Sequence, residues 1–162
     1  MIEIRDNFLP KEEFLKIQKI FFSDVFPWYF NNYKIDSNNE EGLNNYQFTH
    51  AFYVDYKIKS DAFKYLENLL KKLKVKSIIK LKANLLPKTD FIIKSEFHTD
   101  VNFDCLTSIL YINTNNGYTE FENGQTVESV ENRLVTFSSD IKHLGTTCTD
   151  NKTRIILNIN YF

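Results

Sequence analysis

At 162 residues and 19.2 kDa, with 43% hydrophobic and 15% aromatic residues, the chain has apolar mass for one folded domain, which excludes a disordered chain. A formal net charge of −1 offers no global attraction to nucleic acid or to an anionic membrane. The two cysteines, Cys105 and Cys148, form no CxxC pair, so a disulfide framework and a zinc knuckle are both excluded.

No apolar stretch is long enough to span a bilayer, and the opening MIEIRDNFLPKEEF is too charged for a signal peptide, so a soluble, cytoplasmic setting is expected. PKEEFLKIQKIFF (10–22) predicts a helix: Pro10 suits its first position, and Phe14, Ile17 and Phe21 recur at helical spacing. Residues 26–42 read as an irregular, aromatic and Asn-rich surface loop, and QFTHAFYV (47–54) alternates like a strand. A second helix is expected from about Ser60, a plausible N-cap, to Lys74, with Phe63, Leu66, Leu70 and Leu73 as its apolar stripe.

From Ser77 onward the period changes to two. Strands are expected at 77–86, 96–101, 105–113, 118–122, 125–130, 133–139 and 153–162, with Asn116-Gly117 and Asn123-Gly124 as hairpin signals. Many short strands at this spacing predict a mainly β (α+β) chain folded as a sandwich or jelly roll rather than a parallel sheet, with the helices packed on one outer face. A single domain, 1–162, is expected, divided into a support region (1–76) and a β core (77–162).

Three histidines occur in all, so their placement can be read completely. His98 and Asp100 of the HTD tripeptide lie two apart in an extended segment and so point to one face. His143 follows just past the strand RLVTFSS, at a separation that a jelly roll can close. Two imidazoles and a carboxylate form the facial triad that binds iron(II) and leaves positions open. The bland alternative is three ordinary polar residues at strand ends. Eleven residues beyond His143, Arg154 opens the last strand; alternation puts Arg154, Ile156 and Asn158 on one face and Ile155, Leu157 and Ile159 on the other. An inward Arg154 needs a carboxylate that no acidic residue is placed to provide, and a bound dicarboxylate such as 2-oxoglutarate would supply it.

The run from HTD through TSILYINTNNGYTEFENG to NRLVTFSSDIKHLGTT and TRIILNINYF, with DNFLPKEEF at the start, resembles the 2-oxoglutarate- and iron(II)-dependent oxygenases. The prolyl-4-hydroxylase-like branch, including small phage and bacterial members, is the nearest match. The resemblance implies a double-stranded β-helix, His98, Asp100 and His143 as iron ligands, and Arg154 as anchor of the distal carboxylate. It also implies Tyr111 of the YIN context, and Asn84 before the triad, as co-substrate contacts. Iron(II), 2-oxoglutarate and dioxygen are the expected cofactors and co-substrates, with ascorbate as a reductant. Lys152, nine residues beyond His143, is a rival anchor. The implied reaction hydroxylates a C–H bond, with succinate and carbon dioxide as co-products. A protein or peptide, prolyl by default, is the implied substrate, with a small molecule or a nucleobase as alternatives. A jelly-roll binding module without catalysis is the non-enzymatic alternative.

Among the remaining candidates, His50 reads better as structural than as a substrate contact. Trp28, Tyr29, Phe30 and Tyr33 read as packing rather than a lid. Cys105 and Cys148 read as small core residues, and Lys71, Lys72, Lys74 and Lys76 as a solvated helix end, with nucleic acid a minor prospect.

Overall fold

The computed structural model describes residues 1–32 and 46–162. In chain order they form β1 (Ile2–Arg5), α1 (Lys11–Phe21), β2 (Tyr29–Asn31), β3 (Gln47–Val54) and β4 (Lys57–Ile58). A 3-10 turn (Asp61–Leu66) then leads into α2 (Glu67–Lys72), followed by β5 (Ile78–Pro87), β6 (Leu106–Tyr111), β7 (Tyr118–Phe121) and β8 (Thr126–Glu128). The chain closes through β9 (Leu134–Ser138), β10 (His143–Gly145) and β11 (Thr153–Tyr161).

Two antiparallel sheets result. The larger runs β1-β9-β6-β11-β5-β3-β2, with β4 paired to β3, and the smaller runs β10-β7-β8. The main sheet is thus built from both halves of the sequence, since β1 pairs with β9 and β3 pairs with β5. Among the described residues, no helix is long and apolar enough to cross a membrane.

Two apolar cores follow from strand alternation. One lies between the helices and the outer face of the main sheet, where Phe14, Ile17 and Phe21 of α1 and Leu69 and Leu70 of α2 meet Leu81, Ile155, Leu157 and Ile159. The helices therefore cover one outer face, as their apolar stripes predict. The second core lies between the sheets and joins Ile109, Tyr111 and Ile156 to Phe121, Val127, Val135 and Phe137. Cys105 and Cys148 are buried free thiols.

Several local expectations are corrected. The helix expected over 60–74 begins as a 3-10 turn: the Ser60 hydroxyl accepts from the Ala62 N–H at 3.2 Å, and the α-helix starts only at Glu67. Tyr29–Asn31, expected within a loop, forms an edge strand on β3; the remainder of 26–42 beyond Asn32, Tyr33 included, lies outside the described residues. Asn116-Gly117 is not a hairpin, because β6 belongs to the main sheet and β7 to the small one. Asn116 instead ties this crossover to the loop before β11, donating from Nδ2 to Thr149 Oγ1 at 2.7 Å and from its N–H to Asp150 Oδ1 at 2.9 Å. Asn123-Gly124 does close a hairpin, β7 to β8, with Gly124 at φ 84° in the left-handed region.

Candidate functional site

The expected strand 96–101 is not a regular strand, and the reason lies in its partner. Lys94 faces Thr146 and His98 faces His143, so four residues on one side span three on the other, which interrupts the ladder. The N–H of each histidine donates to the carbonyl of the other at 3.0 Å, locking the two backbones together. His143 is not in a loop after β9 but opens β10, where it stands opposite Phe121. Phe137 packs on its ring edge-on at a centroid distance of 4.8 Å.

These pairings bring His98, Asp100 and His143 together, with one ligand atom of each lying within 4.8 Å of the others. His98 Nε2 is 3.9 Å from Asp100 Oδ1 and His143 Nε2 is 3.7 Å from Asp100 Oδ2, too long for hydrogen bonds. His98 Nδ1 sits 3.1 Å from the Glu96 carbonyl, and His143 Nδ1 sits 3.4 Å from that of Ile141. A carbonyl oxygen can only accept, so Nδ1 carries a proton on both rings, and both Nε2 atoms face Asp100. Asn158 Nδ2 fixes the carboxylate, donating to Asp100 Oδ2 at 2.8 Å. Burial opposes the charge on Asp100, but His143, the Asn158 amide, His98 and Lys80 outweigh it and hold the carboxyl below its usual range. Burial likewise holds the His143 imidazole below its ordinary value, against the pull of Asp100. Two imidazoles and one carboxylate fit the donor set of iron(II) in a facial triad.

A cavity of about 220 Å³ extends from this triad to Arg154, walled by the inner faces of β5 and β11. The β11–β5 register ranks its lining: Arg154 opposite Leu86, Ile156 opposite Asn84, Asn158 opposite Lys82, and then Lys80, which stands opposite the fully buried Asn160. Arg154 is 1% exposed and makes no ion pair among the described residues. Its Nε donates to Ser129 Oγ at 2.7 Å and Nη2 to Thr119 Oγ1 at 3.2 Å, while Nη1 has no partner among the described residues. Burial pushes the guanidinium below its ordinary value. A buried arginine with a donor to spare and no carboxylate fits the distal acid of a dicarboxylate. Gly117 makes room for it: a Cβ there would stand 2.6 Å from Arg154 Cδ and 2.7 Å from the Thr147 carbonyl oxygen.

The other sequence candidates separate clearly. Asn84 lines the cavity, and its buried Oδ1 has no partner. Tyr111 is fully buried behind the wall; its hydroxyl donates at 2.8 Å to Thr119 Oγ1, which does line the cavity. Because Thr119 Oγ1 already accepts from Tyr111 and Arg154, its own proton is left to donate. Lys152 is exposed and outside the lining. His50 is structural: Nδ1 donates to the Pro27 carbonyl at 2.7 Å, and Nε2 lies 2.8 Å from the Ser60 hydroxyl, among Phe26, Tyr29 and Phe52. Trp28 packs against Phe21 and Phe26, whereas Tyr29 and Phe30 are exposed. Sequence reasoning missed Thr119, Lys80 and Lys82 as lining residues. The alternation Lys80, Lys82, Asn84 along one strand face was the signal for the lysines.

No family model matches the sequence, and no curated protein matches it. Solved structures match across nearly the whole chain. An oxidoreductase of the 2OG-Fe(II) oxygenase family from Burkholderia pseudomallei aligns with a TM-score of 0.70 at 12% identity, covering 99% of this chain and 84% of that one. A prolyl-4-hydroxylase from Pseudomonas putida aligns at 0.66 with 15% identity, covering 99% and 91%. A prolyl hydroxylase from Trichoplax adhaerens, in complex with a hypoxia inducible factor oxygen degradation domain peptide fragment, aligns at 0.65 with 17% identity, covering 99% and 83%. The chain therefore has the double-stranded β-helix fold of the 2-oxoglutarate- and iron(II)-dependent oxygenases.

Proposed function

We propose that the chain is an iron(II)- and 2-oxoglutarate-dependent dioxygenase that hydroxylates a C–H bond, with a prolyl-type protein or peptide as its substrate. The observation that carries this reading is the pairing, within one cavity, of a His-Asp-His donor set with a buried arginine that lacks a carboxylate among the described residues. When bound, iron(II) and 2-oxoglutarate supply an oxidant from dioxygen and release succinate and carbon dioxide. His98, Asp100 and His143 would hold the metal, with backbone carbonyls fixing both imidazole tautomers and Asn158 orienting the carboxylate. Arg154 would hold the distal carboxylate and Thr119 would donate to it, with Tyr111 and Ser129 keeping both in place. Leu86, Ile109, Ile156 and Leu144 line the space between and exclude water from it.

The prolyl assignment draws on the similar structures, two of which are prolyl hydroxylases, one with a bound peptide. The test is succinate formation from 2-oxoglutarate in the presence of iron(II) and a proline-containing peptide panel, with products identified by mass. Iron-dependent turnover that disappears in His98→Ala is expected. Turnover that survives in His98→Ala would sink the metal assignment, and a product mass shift on a non-peptide only would sink the peptide one.

A further inference from the structure

Lys80 and Lys82 point from β5 into the cavity beside the metal-binding triad, and neither forms an ion pair among the described residues. The register fixes where they stand. Lys82 lies opposite Asn158, the residue that holds Asp100, and Lys80 lies one step further along, opposite Asn160. Arg154 is four residues the other way along β11, roughly 13 Å at strand rise. The lysines therefore stand level with the Asp100 end of the triad, and Arg154 stands away from them along the same face.

Charge counting on the lining gives the lysines a task. Asp100 is the only carboxylate that lines the cavity among the described residues. Under the reading above, on which this inference rests, Asp100 and the 2-oxoglutarate dianion together offset the divalent metal and Arg154. Lys80 and Lys82 remain uncompensated in a partly closed space. Two like charges held two residues apart on one strand face repel each other, and burial adds to the cost. Burial, with repulsion from Lys80 second, draws the Lys82 ammonium down to about 8 against the pull of Asp100. Such an arrangement is costly for stability alone, and an anion between the two ammonium groups would relieve it.

We infer that Lys80 and Lys82 form the substrate-recognition site of the cavity and select a substrate carrying a carboxylate close to the oxidised C–H bond. The carboxylate belongs either to a free small acid or to an acidic side chain of a peptide. Both present the same group to the same two ammonium ions.

The experiment measures binding without turnover. The protein is held without dioxygen, loaded with iron(II) and saturated with 2-oxoglutarate, then titrated calorimetrically with two matched pairs. N-acetyl-L-proline against N-acetyl-L-prolinamide tests the free acid. The acetylated dipeptide amide Pro-Glu against Pro-Gln tests the acidic side chain. One carboxylate probe is expected to bind roughly tenfold or more tightly than its amide twin, as expected for a charge-assisted contact in a screened site. That preference is expected to vanish in K80Q/K82Q and to shrink in each single variant. Which pair shows the preference identifies the source of the carboxylate.

Equal binding of acid and amide, or a preference that persists in K80Q/K82Q, overturns the inference. So does a carboxylate probe that binds only by displacing 2-oxoglutarate. Titrating 2-oxoglutarate into the same variants keeps the two readings apart. Its affinity is expected to survive K80Q/K82Q and to collapse in Arg154→Met. Loss of metal or 2-oxoglutarate binding in the unaltered protein would defeat the proposed function instead.

Discussion

The two faces of β11 place opposite demands on one strand. Ile155, Leu157 and Ile159 pack under the helices in an all-apolar core. Arg154, Asn158 and Asn160, on the alternate positions, carry polar groups into the cavity side, where Arg154 Nη1 and Asn160 Oδ1 are left without partners. The first face contributes stability through burial; the second gives some of it up to hold charged and polar groups in place. A strand with a period of two allows this because neighbouring residues never share a face.

Substitutions on the two faces are accordingly expected to separate ligand binding from stability. Arg154→Met has the largest effect on binding: removal of a charged, multiply donating group lowers 2-oxoglutarate affinity roughly a hundredfold or more. Calorimetry checks this. The melting temperature of the unliganded protein is expected to hold or rise, because a buried guanidinium without a carboxylate is replaced by an apolar side chain. An affinity within threefold of the original removes Arg154 as the anchor.

Leu157→Ala reverses the pattern. Leu157 is fully buried in the outer core, so its truncation is expected to cost about 2–5 kcal/mol in urea unfolding. Its 2-oxoglutarate affinity at a temperature where it is folded is expected to be unchanged. Coupled losses of both would mean that the two faces are not independent.

Gly117→Ala tests how closely the cavity face is packed. The added Cβ meets Arg154 Cδ, the Thr147 carbonyl and Asn115 Oδ1, all within 2.8 Å, so the guanidinium must move. A roughly tenfold weaker affinity for 2-oxoglutarate is expected, as for the loss of one good hydrogen bond to a charged group. Unchanged affinity would mean that Arg154 accommodates the methyl without shifting.

The smallest effect concerns pH and His50, a residue outside the cavity lining. Burial holds the His50 imidazole below its ordinary value of 6.5, with the Pro27 carbonyl opposing. The ring is then neutral in the fold while the unfolded chain takes up the proton. His50 thus contributes full stability above about pH 6.5, and that contribution falls as the pH drops toward the folded value. Melting temperatures between pH 7.5 and 5 are expected to decline, with a shallower decline in His50→Gln. Identical profiles would remove His50 as a source of the acid sensitivity.

Legibility in the sequence followed periodicity. β3 was readable to the residue, and β11 nearly so, because each alternates over eight or nine residues. β10 was not, since three residues, HLG, carry no period. The segment around His98 reads as a strand because its composition is that of one. Only its bulged pairing with β10 breaks the ladder. Asn116-Gly117 reads as a hairpin by local chemistry, but its neighbours pair in different sheets and the glycine serves the passage of Arg154. The HTD tripeptide, His143 and Arg154 were found through spacing, and Asn84 through resemblance. Thr119 is not legible in this way because its partners come from two strands of the other sheet, Tyr111 from β6 and Arg154 from the distant β11.

By itself the sequence determined the faces: which side chains alternate inward on β11, and which stripes the helices bury. Those follow from local geometry, since strand and helix periods fix direction before any partner is chosen. The tertiary structure alone decided the distances. It set His143 against His98, put Asn158 onto Asp100, left Arg154 without a carboxylate among the described residues, and aligned Lys80 and Lys82 beside Asp100. Pairing register depends on how all the strands share one closed arrangement, and no single segment carries that information.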